Sequence, residues 1–356
     1  MINLQKVKVA IIGCGLAWER LHYPAYQELQ DKYEIVACCD VDKNKAVKAT
    51  QMVSLGQDKA YTDYREMINR ETLDAVDIMV PIEDNFPVAE DIAQVGVNII
   101  CEKPLATNLE DALEFTEFAD MYKIKVMIAE NFRYNEENNI IRDIIKQGKI
   151  GDVIYFISNY ITDFPKDMLG NTFAAKEWRQ HPDFPGGRLL DGAIHNLAGI
   201  RHIFGAIDNL QAFGQPQQED YMPYRSAHVN MEFKSGVVGQ FSYFPSGQEA
   251  QRPLLGTRIF GTEGMIYLEE RKSGIVNVFY NNGSSEQISF KPERGFYNEL
   301  LNFYKDFTLQ ESISVAPEVE FGDLKTVLAI LKSIEEKKVV KVDEATKVQQ
   351  PSITLL

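Results

Sequence analysis

Between residues 7 and 129 the apolar positions fall into short, nearly unbroken runs with helix-spaced stretches between them. The runs 7–12, 35–39, 75–80, 97–101 and 125–129 are rich in Val, Ile and Ala, as expected of strands buried on both faces. The intervening stretches 17–30, 43–55, 64–69, 87–95 and 109–122 carry apolar residues at helical spacing. Strands alternating with helices predict a parallel, doubly wound α/β sheet of the Rossmann type. Ligands of such sheets bind beyond the C-terminal strand ends, which puts Gly13, Asp40, Pro81 and Lys103 on one rim.

After Asn131 the pattern changes. A helix at 136–147, a strand at 153–161, a long polar loop at 163–187 and a helix carrying Asp191 are followed by strand-like runs at 210–214, 228–233, 237–244, 258–260, 265–268, 276–280 and 287–290. Two helices, 293–309 and 321–337, come last. Runs of strands after a helix predict an α+β domain with a large, open, mostly antiparallel sheet. The expected division is therefore residues 1–130 and 131–356. One broad exposed sheet face there favours a homodimer or homotetramer.

The 356-residue chain, 45% hydrophobic, is long enough for two cores. Its formal charge of −15 argues against nucleic acid or an anionic membrane as a partner. No apolar run approaches the roughly 18 residues of a membrane span. The first strand passes directly into a glycine turn, unlike a signal peptide. Cys14, Cys38, Cys39 and Cys101 show neither metal nor disulfide spacing, so buried thiols in a reducing cytoplasm are expected.

Three motifs carry chemistry. In V-A-I-I-G-C-G-L-A-W, Gly13 permits a tight turn and Gly15 lets backbone amides approach a pyrophosphate at the following helix N-terminus. The third glycine of the usual fingerprint is replaced by Trp18, so the Trp must point aside or the helix must shift. Asp40 lies 40 − 15 = 25 residues beyond the second glycine, where an acid grips ribose hydroxyls and repels a 2′-phosphate. NAD is thereby favoured, with NADP left open through Lys43. Lys103, between Glu102 and Pro104 at a strand end, stands where a lysine can hydrogen-bond an alcohol oxygen, although a solvated surface lysine reads the same way. In G-G-R-L-L-D-G-A-I-H, Asp191 and His195 are four apart; on a helix, about 400° of turn stacks them on one face. A carboxylate beside an imidazole orients it for proton transfer, and the same spacing also describes a surface ion pair.

Together these motifs resemble the glucose–fructose oxidoreductase, inositol dehydrogenase and rhizopine-catabolism (Gfo/Idh/MocA) family of NAD(P)-dependent oxidoreductases. The resemblance runs nearly end to end through G-x-G, E-K-P, N-F-R-Y from Asn131, W-R at Trp178 and Arg179, G-G-x-L-L-D-x-x-x-H, and G-T-E-G from Gly261. It implies hydride transfer between nicotinamide and a secondary alcohol or ketone of a sugar, inositol or related polyol held between the domains. It also implies a catalytic set of Lys103, Asp191 and His195, with Lys103 joined to Pro104 by a cis peptide; Trp178 and Arg179, on the loop leading in, fit either the substrate side or helix-entry packing. Implied cofactor contacts are Gly13, Gly15, Leu16, Ala17 and Asp40, then Pro81, Asn85, Glu102, Lys103 and Asn131. The family's T-P-N-x-x-H loop reads V-P-I-E-D-N here, with Asn85 in place of the histidine. Two other functions fit the residues: a glycosidase that oxidises and re-reduces its sugar on bound NAD, and a non-catalytic dinucleotide sensor. His22, His181, His202 and His228 carry less weight as ligand contacts, His202 being the most favoured of the four because it lies on nearly the same helical face as His195.

Overall fold

The computed structural model describes residues 6–247, 249–309 and 311–344 and resolves the chain into two compact units. Of the described residues, the first holds those up to Asn131 and those of Gly295–Phe321; the second holds those of Phe132–Arg294 and those from Gly322 to 344. The chain thus leaves the first unit at Asn131 and later returns to it, a return absent from a linear division at 130/131.

The first unit is built on six strands, β1 Val7–Ile12, β2 Tyr33–Cys39, β3 Ala60–Tyr61, β4 Ala75–Ile78, β5 Asn98–Glu102 and β6 Val126–Ala129. All neighbours pair in parallel, in the order β3-β2-β1-β4-β5-β6, so the strand order reverses beside β1. β4 is buried at every position, as its apolar run predicts. Side chains cap the helices between strands: Asp42 accepts the Asn44 N–H at the start of Lys43–Met52, and Asn108 accepts those of Glu110 and Asp111 at Leu109–Tyr122. The returning segment is tied in by the Tyr33 hydroxyl on the Leu300 carbonyl at 2.6 Å, the Ile128 N–H on the Val315 carbonyl at 3.0 Å, and a Lys125–Asp306 ion pair at 2.6 Å.

Two helices depart from expectation. The stretch expected at 17–30 is not one regular α-helix: Trp18–His22 forms a π-helical turn before Tyr23–Glu28. Trp18 is fully buried against Tyr23 and Tyr26, and the wider turn gives room to a side chain where the fingerprint expects glycine. The helix expected at 87–95 begins at Ile82, just after Pro81, and contains Pro87. Pro87 reads locally as a helix start, but packing of Ile82, Asn85 and Val88 extends the helix one turn earlier.

The second unit carries a nine-stranded sheet: β7 Val153–Ile161, β8 Ile207–Pro216, β9 Tyr224–Phe233, β10 Val238–Phe244, β11 Gly256–Gly261, β12 Gly264–Leu268, β13 Ile275–Tyr280, β14 Ser285–Ser289 and β15 Val340–Lys341. Its order is β14-β13-β12-β11-β7-β10-β9-β8-β15, antiparallel throughout except where β7 meets β10. Along β9, Ala227, Val229, Met231 and Phe233 are buried while His228, Asn230 and Glu232 are exposed, so one face is covered and the other open. Phe204, ending the helix Ile194–Phe204, stacks on Phe156 of β7 at 4.4 Å on the covered face. The loop expected at 163–187 contains short helical turns, Phe164–Met168, Phe173–Ala175 and Glu177–Gln180. Among the described residues no helix is long and apolar enough to cross a membrane.

Candidate active site

The glycine turn follows from backbone sterics. Gly13 has φ +92°, and a Cβ there would stand 2.2 Å from the Met79 carbonyl oxygen, so no other residue fits. At Gly15 the situation is reversed: nothing lies within 4 Å of where a Cβ would project. Leu16 and Ala17 open the helix that follows. Asp40, just past β2, accepts the Cys14 N–H at 2.9 Å and the Asp42 N–H at 2.9 Å, which fastens its carboxylate to the turn. Open space at Gly15, a helix N-terminus beside it and an anchored acid suit a dinucleotide's pyrophosphate and adenine ribose. Lys43 turns away to the Ala60 carbonyl, and Lys45 stays 4.0 Å from Asp40.

The E-K-P turn ends β5. The Lys103–Pro104 peptide is cis, and Lys103 is buried. Asn85, itself buried, donates its amide to the Glu102 carbonyl at 3.0 Å and the Pro104 carbonyl at 2.8 Å, clamping the turn's backbone. The Glu102 carboxylate is held from the other side. His22 Nε2 lies 3.0 Å from Glu102 Oε1 and His22 Nδ1 lies 2.8 Å from Asp77 Oδ2, while the Tyr26 hydroxyl donates to Asp77 at 3.0 Å. Burial opposes a charge on His22, but the Asp77 and Glu102 carboxylates outweigh it and raise its pKa well above 6.5. Nearby Glu299 is fully buried, and burial raises its carboxyl well above the usual range.

In the second unit, Gly187 (φ +49°) opens the turn into the Asp191 segment; a Cβ there would meet the Tyr221 carbonyl oxygen at 2.3 Å. The expected helix starts as a π-helical turn, Leu189–Ala193, before Ile194–Phe204, so Asp191 and His195 straddle a change of helical pitch. Asp191 is buried and accepts from Arg188 at 2.7 Å and Arg179 at 3.2 Å. Arg179 also lies over the rings of Trp178 at 4.5 Å and Phe173 at 5.4 Å. His195 is half-buried, its ring stacked on Phe132 at 4.8 Å, with Arg271 over Phe132 at 4.0 Å.

Asn131 is buried at the start of the short turn Asn131–Tyr134. His202 lies 2.7 Å from Arg142 and 3.0 Å from the Asn139 side-chain oxygen Oδ1; burial and Arg142 push its pKa down to about 3, leaving the ring neutral. His181 pairs with Asp220 on the surface, and His228 meets Ser242 on the open sheet face. The four cysteines are buried free thiols, and among the described residues no cluster of His, Cys, Asp or Glu could hold a metal. Sequence reasoning gave His22 little weight and did not single out Arg188 or Phe132. His22 had a legible signal: Asp77 is an acid inside the apolar run Ala75–Ile78, and a buried carboxylate needs a partner.

Residues 7–130 match the model of the oxidoreductase family with an NAD-binding Rossmann fold, and residues 139–267 match the GFO/IDH/MocA C-terminal domain. The chain is 27% identical to an uncharacterized protein of Saccharomyces cerevisiae, over 98% of this chain and 100% of that one. It is 24% identical to myo-inositol 2-dehydrogenase of Thermotoga maritima, over 95% of this chain and 99% of the other. Among solved structures it resembles an oxidoreductase of Thermotoga maritima with TM-score 0.82 and 27% identity, covering 96% of this chain and 100% of that one. The two matched domains, the glycine cradle with Asp40 and the E-K-P turn agree, and the chain is an NAD-binding oxidoreductase belonging to the GFO/IDH/MocA family.

Proposed function

We propose that this protein transfers a hydride between NAD and a secondary alcohol or ketone of a sugar, inositol or related polyol. The observation that carries the reading is that the second unit holds a half-buried histidine, His195, stacked on Phe132, four residues after a buried carboxylate, Asp191, fixed by two arginines. Homologues in this family act on sugars and polyols, and such ligands present adjacent hydroxyls to an acid–base pair of this kind. Bound NAD supplies the hydride acceptor or donor.

The chain's residues do the rest. His195 takes the hydroxyl proton in oxidation and returns it in reduction. Asp191 accepts a hydrogen bond from a neighbouring hydroxyl, its oxygens already oriented by Arg179 and Arg188. Lys103 donates to the reacting oxygen and stabilises the charge that develops there. Gly13, Gly15, Leu16 and Ala17 leave backbone room for the pyrophosphate, and Asp40 holds the adenine ribose and disfavours NADP. Trp178 and Arg179 line the substrate side. The open face of the nine-stranded sheet, with Phe213 and Val238 exposed, supports a homodimer or homotetramer, and four buried thiols support a cytoplasmic setting.

A spectrophotometric screen of cyclic polyols and sugars with NAD and NADP tests the reading. A substrate-dependent rise in NADH is the expected result. Release of a leaving group from a glycoside without net NADH would replace the dehydrogenase by a glycosidase, and tight NADH binding without any turnover would leave a sensor.

A further inference from the structure

The E-K-P turn is gripped at two points. Asn85 fixes its backbone through the carbonyls of Glu102 and Pro104. The second grip is a chain of buried side chains: Asp77 in β4, His22 on the first helix, then Glu102 at the end of β5. His22 and Asp77 have no exposed side-chain surface, whereas the Glu102 side chain keeps 14%. Glu102 uses its two oxygens differently. Oε1 meets His22, while Oε2 accepts the Lys103 backbone N–H at 3.2 Å. Asp77 is fixed independently by the Tyr26 hydroxyl, and the His22 ring rests against Phe296 at 5.3 Å. Thus the carboxylate that touches the Lys103 backbone takes its orientation from a ring that cannot turn without leaving Asp77.

We propose that His22 is a positioning residue for Lys103: held between Asp77 and Glu102, it fixes the Glu102 carboxylate that seats the lysine's backbone and so sets where the ammonium group stands. The assignment rests on the reading of Lys103 as the group that polarises the reacting oxygen. A ring donating from both nitrogens to two carboxylates is an imidazolium, so a neutral substitute loses one of the two links. Glutamine reaches only one carboxylate with its N–H₂ and presents an oxygen to the other. A buried ion cluster that merely stabilised the fold would not single out Lys103 from the other lysines.

The test uses the full chain as wild type, His22→Gln, Glu102→Gln, Lys103→Ala and the double variant His22→Gln/Lys103→Ala. The first readout needs no turnover: acylation of individual lysines by an amine-reactive ester, followed by peptide mass spectrometry, without NAD. In both His22→Gln and Glu102→Gln the Lys103 labelling rate should change by about tenfold, with Lys43 and Lys125 unchanged. In turnover with a substrate found by screening, His22→Gln should lower kcat by up to about 100-fold, the scale of a misplaced catalytic group, with NADH affinity retained. In the Lys103→Ala background the same change should cost less than threefold, since a misplaced lysine and an absent one are equivalent. A folded His22→Gln protein that binds NADH and keeps wild-type Lys103 labelling overturns the proposal. If His22→Gln does not fold, Glu102→Gln decides on the same readouts. Wild-type turnover in Lys103→Ala would remove the lysine from the chemistry, while the labelling arm still decides whether His22 positions it.

Discussion

The two units bury ionic clusters of opposite design. In the first, one cation, His22, lies between two carboxylates, Asp77 and Glu102. In the second, one carboxylate, Asp323, lies between two guanidinium groups: Arg133 grips it with Nε at 3.2 Å and a second nitrogen at 2.6 Å, and Arg201 reaches it from the helix Ile194–Phe204. Asp191 repeats the second pattern between Arg179 and Arg188. Arginine keeps its charge at any pH a protein survives, whereas an imidazolium lasts only while neighbouring carboxylates keep its pKa above the pH. The first cluster therefore depends on alkaline limits and the second on acid ones. They also differ in reach: the Asp323 cluster ties helices together, while the His22 cluster ends on the backbone of a proposed catalytic lysine.

The largest effect should separate chemistry from binding. His195→Ala, and independently Lys103→Ala, are expected to lower turnover by roughly 10²–10⁴-fold, the usual loss of a positioned acid–base group, with NADH affinity near wild type. Stopped-flow turnover alongside fluorescence titration of NADH measures both. Equal loss of turnover and binding would recast either residue as a cofactor anchor.

Next comes the contrast between the two arginine-held carboxylates. Asp323→Ala leaves two buried guanidinium groups without their shared partner and should cost about 3–5 kcal/mol of stability in denaturant unfolding. Asp191→Ala should cost about 1–3 kcal/mol, because Arg179 and Arg188 keep 17% and 20% of their side-chain surface exposed. Comparable destabilisation at both positions would make Asp191 a structural residue first.

Cofactor choice gives a smaller change. Asp40→Ala should weaken NAD by about 1.5–3 kcal/mol, the range for hydrogen bonds to a charged group, and narrow the preference over NADP. Isothermal titration with both cofactors reads it, and unaltered NAD affinity would remove Asp40 from the site.

The smallest effect is the pH profile. The His22 pKa is raised in the folded state, so its stabilisation is complete below its unfolded value near 6.5 and is lost as pH rises through the folded value. Its neighbours are Asp77, Glu102, Tyr26 and the buried Glu299, whose carboxyl burial raises, so that its own contribution to stability also falls as pH rises above 4.5. Asp323 has the opposite sign: burial raises its pKa, but Arg133 and Arg201 lower it further, so its stabilisation is present above 3.8 and lost as pH falls through the folded value. Tm against pH should show His22→Gln flattening the alkaline limb and Asp323→Asn flattening the acid limb. The same limb affected in both variants would break the comparison.

By itself the sequence determined the parallel sheet, the antiparallel run after Asn131, the glycine turn with Asp40, the E-K-P turn and the Asp191–His195 spacing. Each is a local pattern: buried strands need continuous apolar residues, and a tight turn needs glycine within a few positions. Only the tertiary structure decided the rest. β3 and β15 are two residues long and exist because a neighbouring edge pairs with them. The π-helical turns at Trp18–His22 and Leu189–Ala193 answer to side chains that must be seated, which helical periodicity does not encode. Gly295–Phe321 belongs to the first unit because Tyr33, Lys125 and Ile128 bind it there. His22 and Glu102 are 80 positions apart, and Arg133 and Asp323 are 190 apart. No spacing rule joins such pairs; the fold does, because a buried charge must find its counter-charge wherever the chain brings one within hydrogen-bonding distance.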